Sequence, residues 1–179
     1  MADDSLRVRP AGPDDIAAIQ SIYAHHVLHG LATFEEVPPS AAEMRRRYDE
    51  IAGAALPYLV AEIPGALAGY GYCAPYRTRS AYRYTLEDSV YVHHDLLGRG
   101  IGSALLGELI GRCAELGYRQ LVAVIGDSAH AASLALHAHH GFLRVGMLRS
   151  VGYKFGRWVD GVLMQRPLGE GDATRPVSR

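Results

Sequence analysis

The sequence predicts one α/β (α+β) domain, a mixed sheet with helices on both of its faces. Three observations support this class. The 179 residues fit a single domain and suffice for a substantial core. Hydrophobic residues make up 49% of the chain and charged residues 21%, the balance of a soluble globular protein. Segments with the period of a strand and segments with the period of a helix succeed each other, without an internal repeat.

The first half of the chain is predicted to form a strand, two helices and a hairpin. Asp14 or Asp15 can cap the first helix, whose apolar residues recur with helical spacing until a glycine ends it. Ser40 is the expected N-cap of the second helix, and Pro64-Gly65 is a typical hairpin turn. The predicted elements are a strand over 6–10, helices over 13–30 and 41–53, and strands over 58–63 and 66–74.

The second half alternates strands and helices and ends in a pair of strands. The segment YTLEDSVYV alternates cleanly, whereas QLVAVI is continuously apolar, as in a strand that is buried on both faces. The predicted elements are strands over 84–92 and 120–125, helices over 100–117 and 128–141, and closing strands over 142–152 and 156–165. The domain is thus expected to span residues 6–167. Residues 168–179, rich in Gly, Pro and charge, are expected to form a disordered tail.

Charge, hydropathy and cysteine usage argue against several classes of protein. The formal net charge is −1, so no basic field points to nucleic acid or to an anionic membrane. The N-terminus is polar and acidic, unlike a signal peptide, and no apolar run approaches membrane-spanning length. Cys73 and Cys113 lack metal-ligand spacing, so we expect reduced thiols in a cytoplasmic protein. Histidine pairs one helical turn apart lack a cysteine or acidic partner, so no metal is predicted.

A glycine cluster, DLLGRGIGSAL at residues 95–105, opens the predicted helix over 100–117. A dinucleotide-binding turn fits it poorly, because Ser103 holds the third glycine position and HHDLLG separates the strand from Gly100. Asp127 nevertheless lies where a dinucleotide-binding domain carries the acidic residue that binds the ribose. A phosphate-binding loop of the Gly-Lys-Ser/Thr kind is excluded, since no lysine follows the glycines.

Two interpretations of the cluster remain on physical grounds. One is a flexible helix entry without a ligand, although three glycines cost more entropy than a turn requires. The other is a nest of backbone amides at the positive end of a helix dipole, with Arg99 adding charge. The second interpretation predicts an anion, such as a phosphate, at this position.

The stretch SVYVHHDLLGRGIGSALL, followed by a buried strand and a helix ending in HGF, resembles the acyl-CoA-binding core of the GNAT N-acetyltransferases. The segments ATFEE, YRTRSAYRYTLEDSVYV and GMLRSVGYKFGRWVD are similar to the phosphinothricin and methionine sulfoximine acetyltransferases of that family. The resemblance runs over about residues 6–167. It implies the GNAT fold, with a central mixed, mostly antiparallel sheet, and acetyl-CoA as cosubstrate.

The resemblance also implies where acetyl-CoA binds. The loop from Gly98 to Ser103 would hold the pyrophosphate, and the strand end Val90–Val92 would pair with the pantetheine arm. Leu97 stands where relatives usually carry a polar residue, so the backbone amides are expected to do the holding. His130 stands where the family has an asparagine that contacts the arm. The implied cofactor-binding residues are Val90, Tyr91, Val92, Gly98, Arg99, Gly100, Ile101, Gly102, Ser103, His130 and His139.

Acetyl transfer to an amine needs a base, because an ammonium group is not nucleophilic. Strand alternation places Glu87 on the strand that would hold the cofactor, four residues from Tyr91, where it can act directly or through a water. The family's amide that polarises the thioester carbonyl would be that of Val92. His137 stands where many relatives have a tyrosine that protonates the departing thiolate, and phosphinothricin-type relatives carry histidine there. Glu87, Val92 and His137 are therefore the predicted catalytic residues.

The carboxylate of an amino-acid substrate needs a cation. Arg77 and Arg79 lead into the Glu87 strand and are the first candidates, although either could be a solvated surface charge. The resemblance adds the loop at Phe34 and Glu35 as an edge of the substrate pocket. The predicted substrate-binding residues are Phe34, Glu35, Arg77, Arg79, Tyr82 and Lys154.

The sequence thus predicts a homodimeric, cytoplasmic N-acetyltransferase that acts by direct attack of a small amino-acid analogue on acetyl-CoA. Phosphinothricin, methionine sulfoximine and methionine sulfone are the first substrates that the resemblance implies. Three alternatives stay open: a GNAT enzyme for another small amine, a non-catalytic sensor of acyl-CoA, and a nicotinamide-dependent oxidoreductase. The loop spacing disfavours the last of these.

Overall fold

The computed structural model describes residues 6–176, and its elements follow the predicted order. The strands are β1 (Arg7–Pro10), β2 (Tyr58–Ile63), β3 (Ala66–Pro75), β4 (Thr85–Val92), β5 (Gln120–Gly126), β6 (Leu143–Lys154) and β7 (Arg157–Pro167). The helices are α1 (Ile16–His29), α2 (Ala41–Gly53), α3 (Ile101–Glu115) and α4 (Ala131–His139).

The strands of the described chain form one seven-stranded sheet in the order β1-β2-β3-β4-β5-β7-β6. β4 and β5 pair in parallel, and the other neighbouring strands of this sheet are antiparallel. A parallel pair needs a crossover connection, which α3 provides between β4 and β5. The predicted mixed, mostly antiparallel sheet is confirmed.

Two hydrophobic clusters show that helices cover both faces of the sheet, as predicted. On one face α3 buries the stripe Ile101, Leu105, Leu109 and Cys113. On the other face α1 and α2 pack against a row of tyrosines that includes Tyr70 of β3. The alternation of β3 and β4 therefore decides which side chains meet α3 and α4 and which meet α1 and α2.

The parallel strands β4 and β5 diverge halfway along their length. Their pairing runs from Thr85 with Gln120 to Asp88 with Ala123. Beyond these pairs β4 continues to Val92 against β3, and β5 continues to Gly126 against β7. The divergence opens a wedge between two strands in the middle of the sheet.

Several boundaries differ from the predicted ones for local reasons. A 3-10 turn at Pro13–Asp15 precedes α1, and α4 begins only after His130, whose ring caps it. The closing hairpin is longer than predicted, because Phe155 and Gly156 both take positive φ (51° and 72°) and pair Lys154 with Arg157.

The start of the predicted disordered tail packs against the domain. Leu168 is buried, and its N–H donates to the carbonyl of Arg119 at 2.9 Å. The Arg119 guanidinium also donates to Gly171 O and to Thr174 Oγ1. An apolar anchor and one arginine thus hold this segment, while residues 177–179 lie outside the described residues.

None of the helices in residues 6–176 has the length and apolar character needed to cross a bilayer.

Candidate active site

The wedge between β4 and β5 forms a narrow cleft. Its walls are Ser89–Tyr91 of β4 and Val124–Gly126 of β5, and α4 closes one side with His130 and His137. Val124, which the sequence pattern placed in a fully buried strand, is 43% exposed here. The local interruption of the sheet therefore exposes both strand edges to a ligand.

The edge of β4 that faces the cleft carries backbone donors. The N–H of His93 donates to Ala68 of β3 at 2.9 Å. Successive N–H groups of a strand point to alternate edges, so those of Val90 and Val92 are directed toward the cleft. The carbonyl of Val92 accepts a hydrogen bond from His26 Nε2 of α1 at 2.9 Å, which fixes the strand end. Val90–Val92, the segment predicted to pair with the pantetheine arm, thus lies at the edge of β4 that faces the cleft.

The glycine cluster leads into α3, and the backbone N–H groups at the start of this helix make no hydrogen bonds within it. Gly98 and Gly100 have φ of 76° and 78°, values that favour glycine, and Gly100 is the N-cap. The first intrahelical bond runs from Ala104 N to Gly100 O, so the N–H groups of Ile101–Ser103 have no acceptor within α3. These donors stand at the positive end of the helix dipole, as an anion requires.

Side chains around this helix start reinforce its position. Gly102 allows α4 to pack closely, because a Cβ there would meet Leu136 at 3.3 Å. Ser103 Oγ lies 2.8 Å from His140 Nε2, so its hydroxyl joins α3 to α4 and its backbone N–H stays available. Arg99 and Leu97 are exposed on the loop, and Leu97 offers no polar group to an anion.

The three predicted histidines of α4 occupy different positions. His130 caps the helix by accepting from Ser133 N at 3.1 Å, and it lines the cleft. His137 also lines the cleft but is buried, with Nε2 3.0 Å from Asp88 Oδ2 and Nδ1 2.8 Å from Ser133 O. His139 is exposed and lies edge-on to His140, away from the cleft.

Glu87 of β4 lies on the sheet face that α1 and α2 cover. Burial raises the pKa of its carboxyl, and the negative charge of Asp88 raises it further, while Arg77 opposes both effects. The side chain is half-buried. On the same face burial raises the pKa of Tyr72, and the charge of Glu87 adds to it. A carboxyl group with a raised pKa in a partly buried position suits a general base.

The connector between β3 and β4 brings cations and aromatic rings near Glu87. Arg77 stacks over Tyr76, with its guanidinium carbon 4.5 Å from the ring centroid. Tyr82 packs edge-on against Tyr76 and is 41% exposed. Arg79 is exposed beside them and precedes a 3-10 turn. Of the two predicted arginines, Arg77 is the one whose charge acts on Glu87.

The loop after α1 is held against the ends of β5 and β6. Lys154 is buried, and its ammonium donates to Gly30 O at 2.9 Å and to Thr33 O at 2.8 Å. Gly126 lets the loop approach β5, because a Cβ there would collide with the carbonyl oxygen of Leu31. Phe34 is 40% exposed on the loop. The structure therefore makes Lys154 the anchor of the predicted substrate loop.

Glu35 is fixed by a network that the sequence did not reveal. Its Oε1 accepts from Arg47 of α2 at 2.6 Å and from Tyr23 Oη of α1 at 3.0 Å. Arg47 stands in the basic run MRRRY of α2, yet its side chain is only partly exposed. Tyr23 and Arg47 also line a cavity of about 360 Å³ over the tyrosine row, which reaches Ala74, the β3 partner of Glu87.

Two further features were missed by sequence reasoning. Asp88, the partner of His137, follows Glu87 directly and carried no signal of its own. Within the described residues His93, His94 and Asp95 are close enough to share a cation, with ligand atoms within 4.8 Å of one another. That group differs from the helical histidine pairs considered in the sequence.

Comparison with known proteins agrees with this geometry. Residues 8–163 match the model of the acetyltransferase (GNAT) domain. The chain is 58% identical to a phosphinothricin N-acetyltransferase of Alcaligenes faecalis, over 98% of this chain and 89% of that protein. It is 38% identical to an L-methionine sulfoximine/L-methionine sulfone acetyltransferase of Salmonella typhimurium, over 92% of this chain and 96% of that protein.

A solved structure extends the likeness to three dimensions. The GNAT superfamily phosphinothricin acetyltransferase of Sinorhizobium meliloti, in complex with AcCoA, superposes with a TM-score of 0.93. It is 49% identical and is matched over 97% of this chain and 94% of its own. The split sheet, the glycine-capped helix and these similarities agree: the chain belongs to the GNAT family of acetyltransferases.

Proposed function

We propose that this protein transfers the acetyl group of acetyl-CoA to the α-amine of a small amino-acid analogue of the phosphinothricin or methionine sulfoximine type. The observation that carries the proposal is Glu87, a half-buried carboxyl group with a raised pKa on β4. The edge of β4 that faces β5 opens into the cleft. The names of the relatives from A. faecalis and S. typhimurium support the substrate class, and the AcCoA complex from S. meliloti supports the donor.

Acetyl-CoA would lie along the wedge between β4 and β5. Its pyrophosphate would take the free N–H groups from Gly98 to Ser103, with Arg99 adding a positive charge from the loop. The pantetheine arm would hydrogen-bond the open edge of β4 at Val90–Val92 and pass His130. Because the anion contacts are mostly backbone amides, the apolar Leu97 would weaken this binding mode without abolishing it.

Glu87 would remove a proton from the α-ammonium of the acceptor. Its raised pKa makes the carboxylate a stronger base toward that proton than an exposed glutamate would be. The free amine would then attack the thioester carbonyl, whose developing oxyanion would accept a hydrogen bond from the N–H of Val92. Carbon–sulfur cleavage follows, and the departing thiolate needs a proton, for which His137 stands in the cleft.

The acceptor would sit over Glu87 with its carboxylate toward Arg77 and, more weakly, Arg79. Phe34 and Tyr82, each about two-fifths exposed, would contact it from opposite sides. Glu35 and Lys154 would support the edge of the pocket without contacting the acceptor, since their polar atoms already bind protein groups.

We also propose that the protein forms a homodimer through the closing hairpin. β6 lies at the edge of the sheet, and large apolar side chains of the hairpin are exposed by 49% to 71%. They are Leu143, Val145, Leu148, Val151, Tyr153, Phe155 and Trp158. Such a patch is costly to leave in water and is typical of an interface. Trp158→Glu should convert the dimer to a monomer in size-exclusion chromatography with light scattering, and a wild-type monomer would reject the proposal.

A cytoplasmic location fits the two cysteines, which are free and buried. In such a compartment acetylation of phosphinothricin would remove its ammonium charge. Cells that express the chain should then grow at phosphinothricin concentrations that stop cells expressing the inactive Glu87→Gln variant.

The direct test is release of free thiol from acetyl-CoA with a panel of acceptors. We expect turnover with phosphinothricin, methionine sulfoximine or methionine sulfone, and much less with the amine that lacks the carboxylate. Turnover of the decarboxylated amine at equal rate would reassign the substrate class. Tight acetyl-CoA binding without turnover of any amine would favour an acyl-CoA sensor, and thermal stabilisation by NAD but not by acetyl-CoA would reject the proposal.

A further inference from the structure

The pair formed by Asp88 and His137 is the buried polar contact that the site description leaves unexplained. Asp88 belongs to β4 and His137 to α4, and their side chains are 1% and 6% exposed. His137 Nε2 lies 3.0 Å from Asp88 Oδ2, and Nδ1 lies 2.8 Å from Ser133 O. Both ring nitrogens therefore face oxygen atoms.

The number of protons in this pair follows from its geometry. A backbone carbonyl only accepts hydrogen bonds, so His137 Nδ1 carries a proton. A carboxylate also only accepts, so a proton must lie between Nε2 and Asp88 Oδ2 as well. Without it two lone pairs would face each other in a buried position. The pair thus holds one proton more than a neutral imidazole beside a carboxylate.

The surroundings resist loss of that proton. Asp88 Oδ1 is buried and has no hydrogen-bond partner among residues 6–176, so removing the proton would leave an uncompensated negative charge. The titratable neighbours are Glu87 on β4 and Cys73 on β3, and neither supplies a positive charge. On α4 burial lowers the pKa of His140, which favours its neutral form. The ring of Phe142 packs edge-on against His137 at 5.0 Å between centroids.

The direction in which the pKa of His137 is shifted agrees with a second proton in the pair. Burial alone would lower the pKa of the ring. The hydrogen bond and the charge of Asp88, together with the bond to Ser133, outweigh burial and raise the pKa above its usual value. The charged form of the His137 ring is thus stabilised relative to that of a free imidazole.

We infer that Asp88 is a positioning residue that keeps the second proton on His137, and that this proton goes to the coenzyme A thiolate as it leaves. The inference rests on the proposed function. The acceptor amine forms its bond to the acetyl carbon, the carbon–sulfur bond breaks with its electron pair on sulfur, and His137 Nε2 gives up its proton. Glu87, which has already passed the ammonium proton to water, takes the second proton as the amide nitrogen forms. Exchange with water then discharges Glu87 and recharges the pair. The nitrogen has lost two protons and the sulfur has gained one, so one proton is released in each turnover.

Asp88→Asn tests this role with little change of shape. The asparagine amide can donate to Nε2, so a neutral imidazole protonated on Nδ1 satisfies the same contacts. We expect the variant to fold, to bind acetyl-CoA within about twofold of wild type, and to lose its proton donor at neutral pH. At pH 8 its kcat should fall by about tenfold, the change that one pKa unit produces. The surface variant Asp49→Asn removes the same charge from an ion pair on α2. It should keep its proton donor and the wild-type kcat at pH 8.

The pH profile separates a proton donor from a structural role. In Asp88→Asn the alkaline limb of kcat should move to lower pH. The acid limb should also move down slightly, because Asp88 no longer raises the pKa of Glu87. His137→Gln should lose the alkaline limb, and adding Asp88→Asn to it should cause no further fall. A uniform fall in kcat at every pH, with an unchanged alkaline limb, would overturn the inference.

A titration independent of turnover keeps the two proposals distinguishable. The imidazole C–H signals of His137, assigned in carbon–proton correlation spectra through His137→Gln, should titrate above pH 6.5 in wild type and below it in Asp88→Asn. Equal midpoints would overturn the inference even in an active enzyme. Absence of turnover with every amine would instead reject the proposed function, while the midpoints would still report on the pair.

Discussion

Glu87 and Asp88 are neighbours in β4, yet their carboxyl groups serve opposite faces of the sheet. Asp88 binds His137 of α4, whereas Glu87 lies on the side of the tyrosine row and of Arg77. Strand alternation imposes this separation. The proposed base, Glu87, and the carboxyl group that binds the proposed proton donor, His137, thus lie on opposite faces of β4 in different environments.

Glu87→Gln should lower kcat by about 10²- to 10⁴-fold, the usual contribution of a general base. The amide keeps the size of the side chain but cannot take the ammonium proton. The KM for acetyl-CoA should change little, because Glu87 lies off the cleft. Thiol release across pH 6 to 10 measures both quantities. Equal rates for variant and wild type would remove Glu87 from the mechanism, and Glu108→Gln, an exposed change on α3, is the matched control.

Arg77→Gln should move the acid limb of kcat/KM to higher pH. The limb reflects ionisation of Glu87, whose pKa burial and Asp88 raise and Arg77 lowers. Removing the arginine therefore raises that pKa further, and activity appears only at higher pH. The KM for an amino-acid acceptor should also rise by roughly tenfold, since one charged hydrogen bond is lost. The decarboxylated amine should show the shift in pH without the rise in KM.

A rise in KM for both acceptors would contradict the role of Arg77 in binding the carboxylate. Arg79→Gln is the comparison, because Arg79 is exposed nearby and no described contact links it to Glu87. We expect Arg79→Gln to leave the acid limb where it is in wild type.

Gly100→Ala should weaken acetyl-CoA binding and lower the Tm. Gly100 caps α3 with φ of 78°, a conformation that costs other residues about 1–2 kcal/mol. Relaxation of that strain would turn the free amides of the helix start away from the pyrophosphate. Differential scanning fluorimetry with and without acetyl-CoA measures both effects. Gly53→Ala at the end of α2 has open space for its Cβ and should show neither.

Local pattern explains why much of the site was predictable. Alternation in YTLEDSVYV predicted the strand and the face on which Glu87 lies, and the glycines before a helical period predicted where α3 begins. Each inference needed only residues within about one turn or a few strand positions of each other. The order of strands and helices follows from the same short-range periods.

Contacts between distant segments were not predictable in this way. The partner of His137 lies 49 residues earlier in the chain, and nothing in the alternating pattern marks Asp88 as a buried acid. Arg47 lies in a basic run of α2 that does not indicate a partner, but packing brings it to Glu35. Leu168 was read as part of a tail, although it fills the core. These assignments depend on packing between elements, which periodicity does not encode.

Lys154 is the one lysine of the sequence, which makes its chemistry easy to follow. Its ammonium is buried and donates to Gly30 O and Thr33 O, so an amine-acetylating reagent should modify it far more slowly in the native protein than after unfolding. Burial also lowers the pKa of Lys154, which by itself would favour reaction, so slow labelling must reflect lack of access. Peptide mass mapping over time measures the rate, with the terminal α-amine as the internal standard.

Lys154→Met tests what that burial achieves. Methionine fills a similar volume but leaves two loop carbonyls without their donor, at a cost of about 1–3 kcal/mol. The substrate loop that carries Phe34 should loosen, so the Tm should fall and the KM for the acceptor should rise several-fold. The KM for acetyl-CoA should stay near that of wild type, because Lys154 is absent from the cleft between β4 and β5. An unchanged acceptor KM would show that the loop keeps its position without this anchor.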